Sequence, residues 1–267
     1  MMASNTRRRR RLGQHFLFHD GILRRIVDYA SLTSDDVVLE VGAGLGSLTS
    51  RLAEKAGRVI AVEKDLRLYR RLRQTFSHIN NVEVLCGDVF RIDIPCFNKV
   101  VSNLPYSISK RFILWLLKSK FEKGVLLLQK EYADKLTAIP GSKNYSWISM
   151  IAQLFAQISL GEVIPASFFK PKPKVDSRIV VLNPRFKGVL HEELKDFSLR
   201  LFSYKNKRLV NALKLLHGRS DAEFLRACIG SIKGEGLPLN IRVYQLTPDA
   251  MEKVFKTWSH LRQRWRN

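Results

Sequence analysis

The feature that most restricts the fold of this chain is a rhythm between residues 35 and 129. Apolar runs begin near Val37, Val59, Val82, Lys99 and Val125, and helical patterns with charged faces lie near 47–56, 65–77 and 109–119. Strands alternating with helices at this spacing indicate an α/β fold, a parallel sheet with helices on both faces. Such a sheet binds ligands at the carboxyl ends of its strands, where the winding direction reverses. The functional groups of this chain are therefore expected at its strand ends.

The first strand end reads Glu40-Val41-Gly42-Ala43-Gly44-Leu45-Gly46. Glycines let a backbone turn sharply and let a ligand approach closely. The spacing Gly-x-Gly-x-Gly departs from the Gly-x-Gly-x-x-Gly of dinucleotide sites, which argues against a nicotinamide cofactor. The second strand ends in Glu63, an acid placed to accept from both ribose hydroxyls of a nucleoside. The third ends in Gly87-Asp88, where a carboxylate can accept from an adenine amino group. Individually Glu63 and Asp88 can be helix caps. Together with the glycine loop they describe an adenosine-shaped pocket without a phosphate-gripping lysine, which suits S-adenosylmethionine.

The fourth strand ends in Asn103-Leu104-Pro105-Tyr106. An aromatic amine is a poor nucleophile because its lone pair is delocalised into the ring. Two carbonyl acceptors gripping its hydrogens would localise that pair. The side chain of Asn103 supplies one, and the backbone carbonyl of Leu104 the other. Pro105 fixes its own backbone angle and pushes Leu104 into an extended conformation. Tyr106 offers a flat face on which a base can stack, a contact worth about 1–3 kcal/mol. Taken alone, these four residues also fit a strand-ending turn with a core tyrosine.

Ahead of the first strand, Leu12-Gly13-Gln14-His15-Phe16-Leu17 precedes a helix near 20–29. On the residues alone, this stretch reads as a capping loop that packs Phe16 and Leu17 into the core, rather than as a ligand contact through Gln14 and His15. After residue 129 come a helix near 131–138, a Gly/Ser/Asn loop at 141–146 and an apolar segment at 147–160. Phe168 to Val175 then interleaves aromatic, basic and proline residues. Phe169 is expected to close on the other face of a base held by Tyr106, and Lys170, Lys172 and Lys174 to meet phosphates. A proline-rich connection between two antiparallel strands is the plainer alternative. Near Asn183-Pro184 the pattern turns helical, with a capping box at Ser220-x-x-Glu223 and Thr247-Pro248 as a helix start. Residues 1–183 are thus expected to form one domain and 184–267 a second of four or five helices, with a basic side at Lys205, Lys207, Arg208, Lys214 and Arg219.

The 267 residues carry 46 Lys and Arg against 24 Asp and Glu, a net charge of +22, which calls for a polyanionic partner, nucleic acid above all. Residues 1–11 end in five consecutive arginines, a block expected to be a disordered tail, and Arg10 and Arg11 are candidate phosphate contacts. Three cysteines without paired spacing argue against disulfides and against a zinc site. No apolar run reaches the ~18 residues of a membrane span, so a cytoplasmic protein without membrane contact is expected.

These motifs, in this order, resemble the ribosomal RNA adenine dimethyltransferases of the KsgA type. Gln14-His15-Phe16-Leu17 is similar to the N-terminal motif, Glu40 to Gly46 to the cofactor loop, and Glu63 to the ribose-binding acid. Gly87-Asp88 is similar to the adenine-binding motif and Asn103 to Tyr106 to the catalytic motif. Phe169-x-Pro171-x-Pro173-Lys174-Val175-Asp176-Ser177 is similar to the later aromatic motif. Lys205-Asn206-Lys207 with Asn211-Ala212-Leu213 resembles the basic helix of the family. The resemblance implies a Rossmann-like methyltransferase sheet with a small helical, RNA-binding C-terminal domain. It implies S-adenosylmethionine bound by His15, Leu17, Gly42, Gly44, Glu63, Asp88, Val89 and Asn103, which reverses the plainer reading of His15. It also implies two adjacent adenosines near the 3′ end of small-subunit ribosomal RNA as target, each methylated twice, by a protein expected to be monomeric and to act in small-subunit biogenesis. Ser146 and Trp147 stand where relatives carry Gly-Arg, and the helical domain is short; both bear on RNA contacts. An Erm-type large-subunit methyltransferase and a non-catalytic rRNA-binding assembly factor are the alternatives.

Overall fold

The computed structural model describes residues 15–185, 190–217 and 222–266. Arg10, Arg11, Gln14, Arg219 and Ser220, named above, lie outside them. The described residues divide into two compact units, one of residues 15–134 and 157–184, the other of 135–156 and the described residues from 185 onward.

In the first unit β1 (Phe16–Leu17) and α1 (Asp20–Ala30) precede the alternating series. The series runs β2 (Val37–Val41), α2 (Ser47–Ala53), β3 (Arg58–Glu63), α3 (Leu66–Thr75), β4 (Val82–Cys86), β5 (Lys99–Asn103), α4 (Ser109–Leu116), β6 (Lys123–Gln129) and α5 (Lys130–Leu136). Every strand foreseen in the rhythm is present. After α6 (Trp147–Phe155) come β7 (Ala156–Ile164), β8 (Phe169–Lys170) and β9 (Ser177–Pro184). The main sheet has the order β4-β3-β2-β5-β6-β9-β7, with β2 to β6 parallel and β9 antiparallel to β6.

The alternation of side chains across the pleat explains why these runs are apolar on both faces. Val38, Val59, Val101 and Val125 point to one side and pack with Ile22 and Ile26 of α1 and Leu48 and Leu52 of α2 in one buried cluster. Each fully buried aliphatic side chain contributes about 1.5–3 kcal/mol. On α3 only Leu72 is buried, and it joins Phe76, Ala61 and Ala43 in a smaller cluster. The chain order leaves β2 for β3 in one direction and reaches β5 on the other side of β2. The crevice therefore lies at the carboxyl ends of β2 and β5, where Ser102 Oγ donates to the Val41 carbonyl at 2.6 Å.

The second unit holds α6, α7 (Glu192–Ser203), α8 (Leu209–His217), α9 (Ala222–Gly234) and α10 (Pro248–Arg266). Its helical character from residue 191 onward was anticipated, and Thr247 Oγ1 caps α10 by accepting from the Ala250 N–H. The boundary drawn between 183 and 184 needs correction, because residues 135–156 pack with the C-terminal helices. The apolar segment 147–160 is two elements: a helix to Phe155, then strand β7. Eight of the nine residues of α6 are buried, so it has no solvated face and needs cover all round. Two polar groups hold it and its lead-in: Trp147 Nε1 donates to Ser198 Oγ (2.9 Å), and Tyr145 Oη donates to the Leu246 carbonyl (2.9 Å).

Candidate active site

A cleft of about 250 Å³ opens at the strand ends of the first unit. It is lined by His15 to Leu17, the loop from Glu40 to Leu45, Glu63, Gly87 to Phe90, and Asn103 to Ile108. The four strand ends foreseen from the sequence thus converge on one place, and the N-terminal segment joins them.

The glycine loop is shaped by its neighbours. Gly44 has φ +61°, and a Cβ there would come within 2.9 Å of the Phe16 ring. Gly42 has φ +76°, and a Cβ there would meet Pro105 at 3.2 Å. The loop is therefore pressed between β1 and the turn after β5, in a left-handed conformation that ordinary side chains disfavour by about 1–2 kcal/mol.

Glu63 is buried, and its two carboxylate oxygens accept from the Gly44 N–H (2.9 Å) and the Asp65 N–H (2.7 Å). Burial raises its pKa, and these N–H groups only partly offset that. The Lys64 backbone N–H also acts on this carboxylate, which has about four acceptor positions and so keeps room for a further donor. Glu40 is buried too, at 3% exposure, with Thr49 Oγ1 donating to it at 2.6 Å. Burial, reinforced by the negative Glu63, pushes its pKa up to about 8 despite the Thr49 bond. Asp88 behaves oppositely. Burial works against its ionisation, but the Lys64 ammonium at 3.0 Å and the Phe90 N–H outweigh that and lower its pKa. Val89 is buried beside it.

Asn103 is fixed by an unforeseen partner. Its Nδ2 donates to the His15 carbonyl at 3.0 Å. That bond commits the amide nitrogen, and among the described residues nothing donates to Oδ1, which is left as an acceptor. Leu104 anchors the turn with a side chain only 1% exposed. Pro105 has φ −55° and ψ 127°, and a short 3₁₀ turn, Tyr106–Ile108, follows. Tyr106 is half-buried, and its hydroxyl shares a 2.7 Å hydrogen bond with Ser177 Oγ. Burial raises its pKa. Its ring lies 5.4 Å from the His15 ring, tilted by 30°. His15 Nδ1 is 2.7 Å from the Pro171 carbonyl. A carbonyl only accepts, so Nδ1 donates to it.

Phe169 corrects the sequence expectation. It is 3% exposed, lies in the core with Leu17 and Ile164, and does not line the cleft. The reason is register: β1 and β8 pair antiparallel with Leu17 opposite Phe169, so both side chains share the buried side. The aromatic sandwich of Tyr106 and Phe169 is not built. Lys170, Lys172 and Lys174 are exposed on the same loop. In the second unit Lys205, Lys207 and Arg208 are exposed, but they stand in the turn before α8 rather than on a helix. That turn is tied down by backbone bonds, the Val243 N–H to the Lys207 carbonyl and the Tyr244 N–H to the Lys205 carbonyl, both 3.0 Å.

Three groups were not foreseen from the sequence: Glu40 in its own right, Ser177 as the partner of Tyr106, and Arg111, whose guanidinium lies 3.9 Å from the centre of the Phe90 ring beside the cleft. Glu40 had a signal. It is the one charged residue in a strand buried on both faces. Ser177 had none, because its partner is 71 positions away.

Known proteins resemble this architecture closely. The profile of the family described as "Ribosomal RNA adenine dimethylase" matches residues 5–232. A protein of Thermococcus onnurineus described as probable ribosomal RNA small subunit methyltransferase A is 41% identical over 246 residues, covering 91% of this chain and 89% of its own. Its counterpart in Methanosarcina acetivorans is 37% identical over 254 residues, 94% of each chain. Among solved structures, a dimethyladenosine transferase from Plasmodium falciparum superposes with a TM-score of 0.81 at 28% identity, over 92% of this chain and 98% of that one. The 23S rRNA methyltransferase ErmE gives 0.69 at 26% identity, over 91% and 99%. A cleft built at the strand ends of a doubly wound sheet, a profile spanning most of the residues and relatives matched nearly end to end lead to one assignment: the chain belongs to the ribosomal RNA adenine dimethylases.

Proposed function

We propose that this protein uses S-adenosylmethionine to dimethylate the amino nitrogen of adenosines in small-subunit ribosomal RNA. The observation that carries the reading is the Asn103 amide. With Nδ2 donating to the His15 carbonyl, Oδ1 is left as an acceptor, next in the chain to the Leu104 carbonyl. A pair of carbonyl acceptors is what an exocyclic amino group, with two hydrogens and a delocalised lone pair, requires.

The cleft suits the methyl donor. The glycine loop presents bare backbone to the cleft, and buried Glu63 keeps acceptor capacity for a ribose hydroxyl. Glu63, Asp88, Val89, Leu17 and the loop at Gly42 and Gly44 are the residues that would hold the donor. When bound, S-adenosylmethionine supplies an electrophilic methyl group. The residues of the chain do the rest by positioning. The target base leaves its stack, as chemistry on a base requires. Tyr106, its hydroxyl pinned by Ser177, presents one ring face to that base. Asn103 Oδ1 and the Leu104 carbonyl accept from the amino hydrogens and set the direction of attack. Water takes the proton from the methylated nitrogen, and catalysis is proximity and alignment.

Small-subunit rRNA is the favoured target because the relatives matched over about nine-tenths of this chain are described by that activity. The pre-small subunit as the particle recognised, a monomeric state and a cytoplasmic location belong to the same proposal. So do phosphate contacts through Lys170, Lys172, Lys174, Lys205, Lys207 and Arg208. The test is label transfer from S-adenosylmethionine to undermodified small subunits, followed by nucleoside mass analysis. Dimethyladenosine is expected from the wild type. Asn103→Ala is expected to abolish turnover while cofactor binding persists, and wild-type-like methylation by that variant would refute the role of Asn103. Tight rRNA binding without label transfer would point instead to an assembly factor.

A further inference from the structure

Helix α3 carries a charge pattern that neither the cleft nor the sheet explains. Between residues 64 and 75 stand five basic residues, Lys64, Arg67, Arg70, Arg71 and Arg73, against one acid, Asp65. Only Leu72 of the helix is buried, and all four arginines are exposed. At 100° per residue, Arg67, Arg70 and Gln74 fall on the side opposite Leu72 and Arg71 flanks them, a stripe spaced three, four and seven positions apart. Arg73 turns aside to Tyr69, its guanidinium 5.9 Å from the ring centre. Arg67 has a long 3.6 Å pairing with Asp65, and among the described residues Arg70 and Arg71 have no ion-pair partner. Like charges this close destabilise a helix rather than support it. The stripe is therefore not explained by helix stability.

Its position adds a second observation. Glu63, Lys64 and Asp65, the residues leading into α3, line the cleft. The helix then joins β3 to the edge strand β4 and packs Leu72 near Ala61 of β3, so the arginine stripe starts beside the cleft and runs along the outward side of that helix. A row of positive charges matches the regularly spaced negative charges of a phosphate backbone.

We propose that Arg67, Arg70 and Arg71 form a rail that holds the sugar-phosphate backbone of the rRNA beside the cleft. This rests on the rRNA reading above and deepens it by naming a surface that no sequence motif marks. Such contacts position a strand without reading its sequence.

The test is the salt dependence of binding to protein-free small-subunit rRNA, followed by fluorescence anisotropy. The variants are Arg67→Gln/Arg70→Gln/Arg71→Gln and the same triple change to Lys. Both replacements are good helix formers. Binding of S-adenosylmethionine, whose cleft they do not touch, reports that each is folded. Each neutralised phosphate contributes about 0.7–0.9 to the slope of log affinity against log salt. The Gln variant is expected to be shallower than wild type by about 2 in that slope, while the Lys variant keeps the wild-type slope. An unchanged slope in the Gln variant would overturn the proposal and leave α3 an ordinary solvated face. An equal loss in both variants would overturn it too, since charge would not be the cause. Failure of the methylation reading shows elsewhere, as rRNA binding by the wild type without label transfer.

Discussion

Replacing Glu40 by Gln removes a buried acid while keeping its shape and its bond from Thr49. In the folded protein burial and the neighbouring Glu63 raise the Glu40 pKa from an ordinary 4.5 to about 8. The unfolded chain holds the ordinary value. The folded state therefore binds this proton more tightly, so its stability advantage is complete below about pH 4.5 and is lost as pH rises through 8. The loss over that window is roughly 4–5 kcal/mol, at about 1.4 kcal/mol per pH unit. In Glu40→Gln this component is absent. Urea denaturation of both proteins from pH 5 to pH 9 isolates it, because the difference between them cancels what the substitution leaves alone. Near pH 5 the two are expected to be similar. Above it the variant gains on the wild type at about 1.4 kcal/mol per unit, with the gain levelling off past pH 8. A difference that stayed constant across the range would refute the reasoning, and would mean that Glu40 is already ionised or already solvated.

Two further substitutions probe the cleft. Gly44→Ala places a methyl group 2.9 Å from the Phe16 ring at a φ of +61°. If the about 1–2 kcal/mol of backbone cost is carried by the donor-binding shape of the loop, S-adenosylmethionine affinity is expected to fall about 5- to 30-fold by isothermal titration calorimetry. Ser177→Ala removes the partner of the Tyr106 hydroxyl, a bond worth about 0.5–1.5 kcal/mol. Methyl transfer per enzyme in single-turnover assays is expected to fall several-fold with cofactor affinity unchanged, and a matching drop in Tyr106→Phe would tie the effect to that bond.

The strand ends were legible because a parallel sheet obeys a general rule. Apolar runs buried on both faces announce themselves, and the rule sends Gly42, Glu63, Asp88 and Asn103 to one crevice. What the sequence hid is what depends on register and on distant partners. Phe169 looked exposed to function because it lies among lysines and prolines. One residue of register in a two-residue ribbon decides which side it faces, and pairing with Leu17 turns it inward. The helix from Trp147 to Phe155 looked like part of the first domain because it lies between two of that domain's elements. Its lack of any polar face only makes sense once it is packed with the C-terminal helices. Lys205 and Lys207 sit in a turn because backbone bonds to residues near 243 hold them there, a partner some 40 positions away that no local pattern discloses.

His15 has a consequence for how the protein becomes competent. Its carbonyl orients Asn103, 88 positions on, and its ring nitrogen reaches Pro171, 156 positions on. Closing chain spans of that length is slow compared with forming a local helix, and its entropy must be met before any contact rewards it. The pocket of Gly42 and Glu63 uses only neighbouring strands. A nascent chain can therefore shape the glycine loop and Glu63 early, whereas the part of the donor site made by Leu17 and the proposed grip on the base arrive last, when residues 15–17 are laid against a loop made more than 150 residues later.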